Sequence, residues 1–174
     1  MTPKSPFENR PPEAPHEAND GGFLVPCNLH VNGEPVHAEI ERTMPLDLLL
    51  RRKLGLKSVL HGCESGSCGS CRVLVDGAVV SSCTHAAASL APNASVETAE
   101  SMQENERMRT VLRAFVRERS TRCALCLSGL AVMAVHLERA GRSFDEGAVD
   151  DLLAGAHCAC TGRGSLRRAL LTRD

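Results

Sequence analysis

Residues 61–71 read HGCESGSCGSC, and this stretch decides how the rest of the chain is read. Cys63, Cys68 and Cys71 stand at C-x4-C-x2-C, and Cys83 follows after eleven further residues. That is the plant-type spacing for four thiolates around a [2Fe–2S] cluster. Two irons need four thiolates converging on a small anionic core, so the loop has to bend around it. Gly62, Gly66 and Gly69 permit the tight conformations of that bend. Backbone N–H groups of such a loop turn inward to the sulfurs and tune the potential. The fourth ligand, Cys83, comes from the end of a strand.

The flanks on both sides alternate with period two. Val25, Cys27, Leu29 and Val31 point one way, and the Asn32-Gly33 pair signals a hairpin into Val36, Ala38 and Ile40. Thr43 is placed to cap a helix over 45–53, ended by Gly55. After the cysteine loop, 72–75 and 78–82 form a second hairpin about Asp76-Gly77, and 96–98 supplies a last strand. Strand, strand, helix, loop, strands is the order of a β-grasp sheet. The expected fold class is therefore α+β, with a β-grasp, plant-type ferredoxin-like domain over 22–100.

Beyond Glu100 the period becomes helical. Met108, Val111, Leu112, Phe115 and Val116 share one face, as do Leu127, Leu130, Ala131, Ala134 and Val135, with Val132 and Met133 on the other side. Ser143 to Glu146 reads as a capping box opening a short helix, and Leu166, Ala169 and Leu170 mark a final one. Residues 101–174 are expected to be an all-α bundle. Residues 1–21 hold five of the nine prolines and little apolar pattern, and are expected to be a disordered tail.

The helical half carries a second set, Cys123, Cys126, Cys158 and Cys160. C-x2-C opens one helix and C-x-C precedes another, and helix N-termini favour thiolates. On spacing alone this set fits a structural zinc ion or a second iron–sulfur cluster. Cys27 lies on the apolar face of the first strand and reads as a buried core residue.

Composition excludes other classes. The 174 residues carry 20 Lys plus Arg against 21 Asp plus Glu, a net charge of −1, with no Trp or Tyr and four Phe. Neither a basic footprint nor stacking aromatics argue for nucleic acid. The N-terminus lacks the apolar core of a secretory signal, and the apolar run 125–137 is too short to span a bilayer. The expected location is the cytoplasm, where nine cysteines point to metal rather than disulfides. No Ser-His-Asp set or phosphate loop competes.

These residues carry a resemblance. From Phe23 to Leu170 the chain resembles the small iron–sulfur subunit of the molybdenum hydroxylases, the xanthine dehydrogenase and aerobic carbon monoxide dehydrogenase group. HGCESGSCGSCRVLVDGAVVSSC (61–83) is close to the family's first-cluster motif, and LRAF (112–115), C-x2-C, Gly129 and C-x-C-T-G follow in the family's order. The resemblance implies two [2Fe–2S] clusters and an electron-transfer role with no substrate site on this chain. The implied partners are a large subunit holding a molybdenum–pterin cofactor and, as acceptor, an FAD-binding subunit or a cytochrome. Cys123, Cys126, Cys158 and Cys160 would hold the cluster nearer the pterin, with Arg122 and Cys160 as candidate contacts on that side. The family usually has Gln at position 122, Gly at 124 and Pro at 128; here these are Arg122, Ala124 and Ser128. His61 and His157 read as neighbours of the clusters rather than ligands, and Arg163, Arg167, Arg168 and Arg173 as a solvated basic C-terminus. Two alternatives are a free-standing ferredoxin-like carrier and a zinc-stapled interaction module.

Overall fold

The computed structural model describes residues 24–120, 123, 125–154, 156, 160 and 162–172. The tail 1–21, Arg122, Ala124, His157, Cys158 and Arg173 lie outside the described residues.

Five strands form one mixed sheet in the order β2-β1-β5-β3-β4. β1 (Leu24–Val31) and β2 (Glu34–Glu41) pair antiparallel about the Asn32-Gly33 turn, where Asn32 (φ 55°) and Gly33 (φ 87°) adopt the left-handed conformations this tight hairpin needs. β3 (Arg72–Val75) and β4 (Ala78–Ser81) repeat the device. β5 (Ala94–Glu97) lies between them, parallel to β1 and antiparallel to β3. Across one face runs α1 (Leu46–Leu48), which widens into a π turn over Leu49–Lys53. Leu46, Leu49 and Leu50 are fully buried there against Cys27, Leu29, Ile40, Val73 and Val96.

The helical half consists of α2 (Glu106–Arg117), α3 (Leu127–Arg139), α4 (Glu146–Ala154) and α5 (Arg163–Leu171). Asn105 caps α2, its side-chain oxygen accepting from the N–H groups of Arg107 and Met108. Phe115, Leu130, Leu152, Leu153 and Leu166 fill the core between the helices.

α3 joins the two halves. Leu130, Ala134 and Leu137 face the helical core, whereas Ala131, Val132 and Val135 meet Leu74 of β3, together with Met102 and Met108. β3 is consequently buried on both faces, Val73 and Val75 toward α1 and Leu74 toward α3.

Three local expectations change. Pro45, not Thr43, precedes the first residue of α1, because the chain is still turning at Thr43 after β2. α4 is capped by Asp145, which accepts from the Ala148 N–H at 2.8 Å, so the helix begins later than a Ser143 cap would place it. In α2 the buried face is Met108, Val111, Ala114 and Phe115, leaving Leu112 and Val116 exposed.

Candidate metal centres

The loop between α1 and β3 positions the first cysteine set. Gly66 and Gly69, both at φ 74°, make its reversals, and Glu64 at φ 57° makes a third. Gly62 is needed for space instead: a Cβ there would stand 2.7 Å from Ser70 Oγ and 2.9 Å from Cys68 Sγ. Cys83 sits in the short turn Ser82–Thr84 immediately after β4, and the buried Ser82 hydroxyl donates to the Cys71 carbonyl. The hairpin β3–β4 therefore fixes Cys71 and Cys83 side by side.

The four thiols fall into two pairs. Cys63 accepts from the Cys68 N–H at 3.3 Å. Hydrogen bonds from the Ser65 and Ser67 hydroxyls and from that N–H hold the Cys63 thiol well below its usual range, at about 5. It is a thiolate at neutral pH. Cys83 is the opposite case: burial and the adjacent Cys71 thiol push it up to about 12. Both members of the Cys71–Cys83 pair are buried. Cys83 ionises only when positive charge joins it, and that is what iron would supply, since cysteine ligates as thiolate. The donor set is all sulfur, partly preformed as thiolate, lined by inward N–H and hydroxyl groups, with glycine where a side chain would intrude. These features fit a [2Fe–2S] core. Among the described residues no three His, Cys, Asp or Glu side chains gather around a point suited to a single ion.

His61 joins neither pair. Its Nδ1 meets the carboxylate of Asp47, a fully buried residue of α1, at 2.5 Å, and its Nε2 meets Glu64 at 2.8 Å. Those two carboxylates raise its pKa. The His61 side chain thus clamps the start of the loop to α1. Cys27 is buried, its thiol 3.8 Å from the Ala87 carbonyl and raised by burial, in keeping with a core role.

In the second set, Cys126 is the N-cap residue of α3 and is buried, while Cys123 and Cys160 are exposed. Cys158 lies outside the described residues. The eight described cysteines form no disulfide with one another. Arg163 and Arg167 pair with Asp150, Arg167 also with Glu146, and Arg168 with Glu118, so the basic C-terminal helix is largely charge-balanced.

Two contacts bring the sets together. The Gly69 carbonyl of the first loop points at Gly129 in the first turn of α3, so closely that a Cβ at 129 would stand 3.0 Å from the carbonyl carbon and nearer still to its oxygen. Ser128 donates to the Ser58 carbonyl at 2.8 Å. Ser58 in turn bonds Glu100 through both its N–H and its hydroxyl. The sequence reading missed both ties. Gly129 within an apolar helix was the available signal, since a glycine there costs stability unless something approaches closely.

Residues 29–107 match the family described as 2Fe-2S iron-sulfur cluster binding domain, and residues 98–171 the family described as [2Fe-2S] binding domain. Subunit beta of the 6-hydroxypseudooxynicotine dehydrogenase complex of Paenarthrobacter nicotinovorans is 34% identical over 135 residues, covering 77% of this chain and 84% of that one. The xanthine dehydrogenase iron-sulfur-binding subunit of Escherichia coli O157:H7 is 34% identical over 142 residues, covering 80% and 87%. This chain belongs to the two-cluster iron–sulfur subunits of the molybdenum hydroxylases. Among solved structures, quinoline 2-oxidoreductase of Pseudomonas putida 86 superposes with a TM-score of 0.76 at 30% identity, covering 86% of this chain and 91% of that one. The aldehyde oxidoreductase of Desulfovibrio gigas gives a TM-score of 0.75 at 29% identity, covering 86% of this chain and 17% of that much longer one. As a member of this family the chain is an electron-transfer component of an oxidoreductase, built on [2Fe–2S] domains. Among the described residues no helix is long and apolar enough to cross a membrane.

Proposed function

We propose that Cys63, Cys68, Cys71 and Cys83 hold one [2Fe–2S] cluster and Cys123, Cys126, Cys158 and Cys160 a second. The chain would relay electrons from a molybdenum–pterin site on a large partner subunit to FAD on another subunit or to a different acceptor. In this reading 22–100 is the β-grasp, plant-type ferredoxin-like domain and 101–174 the all-α cluster domain. Arg122 and Cys160 would face the pterin-bearing partner, and the exposure of Cys160 supports that orientation. A cytoplasmic location suits a chain whose described cysteines form no disulfide with one another.

The observation that carries the proposal is the Gly129–Gly69 approach. It seats the helix capped by Cys126 directly on the loop that carries Cys68 and Cys71. Two cysteine sets on abutting elements serve a relay; a free carrier with one cluster has no need of the second. When bound, each cluster takes up and gives back one electron. The protein's part is to hold the sites rigid and dry. Cys71, just before β3, is buried in the core beneath the sheet, and Ser65, Ser67 and the Cys68 N–H supply fixed dipoles at Cys63. Fixed donors stabilise charge without reorganising.

The test is metal content. Purified with whatever accompanies it, the chain should carry about four irons and four sulfides, the content of two [2Fe–2S] clusters, with molybdenum in a co-purifying large subunit. The same iron on a solitary chain would favour the free carrier. Zinc in place of iron, with no visible absorption, would overturn the proposal.

A further inference from the structure

The charge of this chain is unevenly placed. Its net charge is −1, yet residues 42–62 hold five cations, Arg42, Arg51, Arg52, Lys53 and Lys57, against one acid, Asp47. Asp47 is fully buried and bonded to His61. All five cations are exposed. Among the described residues none of the five meets a carboxylate, whereas Arg107, Arg109, Arg139, Arg163 and Arg167 of the helical half are each paired with one. Arg51 donates to the Lys57 and Val59 carbonyls at 3.3 and 3.2 Å, and Lys53 to the Glu39 carbonyl at 2.9 Å. Those bonds fix the corner around α1 and leave its charge standing.

This corner borders the open side of the first cysteine set. Its chain leads directly into the loop that begins at His61, and the Ser70 hydroxyl of that loop donates to the Leu60 carbonyl. On the other flank the Leu46 N–H donates to the His85 carbonyl and the Ala87 N–H to the Met44 carbonyl, just after Cys83. Cys71 and Cys83 are buried, while Cys63 and Cys68 are half-buried at the rim. α3 closes the loop at Gly69, so an electron acceptor has to approach past Cys63, Cys68 and the basic corner.

We propose that this corner is the docking surface for a diffusing, acidic electron-acceptor protein. The inference rests on the cluster reading given under Proposed function. One electron passes from the reduced first site to the acceptor's oxidised one-electron centre, and no proton or atom moves with it. A permanently bound subunit needs an apolar core to its interface. The exposed large apolar side chains, Leu24, Leu112, Val116 and Leu125, all lie outside this corner. A charged face without them suits a transient encounter, steered by long-range attraction and weakened by salt. An extended polyanion fits less well, because Glu34, Glu39 and Glu41 stand exposed on the adjoining β2 and would repel it. A compact acidic patch can avoid them.

The experiment uses the whole complex, with acidic cytochrome b5 and basic cytochrome c as probes. Calorimetry reads binding to the oxidised complex. Stopped-flow absorbance reads haem reduction by complex that has been reduced with dithionite and freed of the excess. Cytochrome b5 should bind and be reduced faster at low salt than at high salt, and cytochrome c should show neither preference. Replacing Arg42, Arg52 and Lys57 together by Glu spares the two anchoring side chains. It should weaken cytochrome b5 binding and slow its reduction roughly tenfold at low salt, the lower end of what steering supplies. Arg142→Glu is the control, since α3 carries that residue about 20 Å from the first loop, and it should change neither readout. Unchanged binding in the triple variant overturns the inference, as does an equal loss in Arg142→Glu or a preference for cytochrome c. Loss of flavin from the purified triple variant would make the face a resident subunit's seat and overturn it. So would binding to phosphatidylglycerol vesicles that the triple variant abolishes while cytochrome b5 reduction persists. A wild-type complex with no [2Fe–2S] signals overturns the cluster reading as well, whereas intact signals with salt-independent reduction of cytochrome b5 overturn the inference alone.

Discussion

Replacing Gly129 by Ala tests whether the two halves are held at contact distance by a missing side chain. In an ordinary helix interior the substitution stabilises by up to about 1 kcal/mol, because alanine loses less backbone entropy than glycine. Here the new methyl would stand 3.0 Å from the Gly69 carbonyl carbon, closer to its oxygen, and 3.4 Å from Arg72 Cβ. The obstacle is backbone, and it belongs to a loop pinned by Cys68, Ser70 and the Gly69 turn, so it cannot rotate aside. Overpacking of this kind costs roughly 1–3 kcal/mol, and more where backbone is struck. Taking about 3 kcal/mol and crediting the helix gain leaves a net loss of about 2 kcal/mol. For a chain of this length that lowers the unfolding midpoint by roughly 4–8 °C. Circular dichroism of the iron-loaded complex reads the midpoint, and stopped-flow reduction reads electron exchange between the clusters, which should slow as the halves separate. Gly164→Ala is the control: in α5 the nearest atom to its Cβ is the far end of Arg168 at 3.7 Å, so it should be neutral or stabilising. A Gly129→Ala complex at least as stable as wild type, with unchanged exchange, would refute the reasoning.

Cys68→Ser should remove the first cluster and leave the second, halving iron per chain, with molybdenum in the partner unaffected; electron delivery to the acceptor should stop. Asn105→Ala removes the cap that accepts from Arg107 and Met108, and should cost about 1 kcal/mol, read as a fall of a few degrees in the midpoint. Glu100 provides a pH test. Burial pushes its carboxyl up, but donation from Ser58 and Thr98 outweighs this and leaves its pKa below the usual 4.5. A depressed carboxyl stabilises the fold at pH values above 4.5, and that contribution is lost as pH falls through the lowered native value. The stability gap between wild type and Glu100→Gln should accordingly be constant near neutrality and shrink on acidification below about 4.5, as measured by denaturant unfolding.

Much of this architecture was legible because its signals are local. Asn32-Gly33 and Asp76-Gly77 announced two hairpins, and both formed where expected. The periods of α2 and α3 were equally plain, since an apolar face recurs every three to four residues whatever it packs against. Where the reading slipped, a competing partner decided. Leu112 and Val116 fit the helical period of α2, yet only Met108, Val111, Ala114 and Phe115 are buried. Asp145 rather than Ser143 caps α4 because its carboxylate reaches the Ala148 N–H. The cysteine spacings pointed to two metal sites because ligand spacing is itself local.

The sequence alone determined the cysteine pattern, the turn chemistry and the alternation that makes each strand and helix. All of these depend on neighbours a few residues apart. Tertiary structure decided what lies between the sites. That the Gly69 carbonyl meets Gly129, that Ser128 reaches back to Ser58, and that Arg72 turns its charge inward onto Met133 and Leu152 are contacts across 60 to 80 residues of chain. No local period encodes such contacts. They exist because α3 must bury two apolar faces at once, and β3 supplies the second.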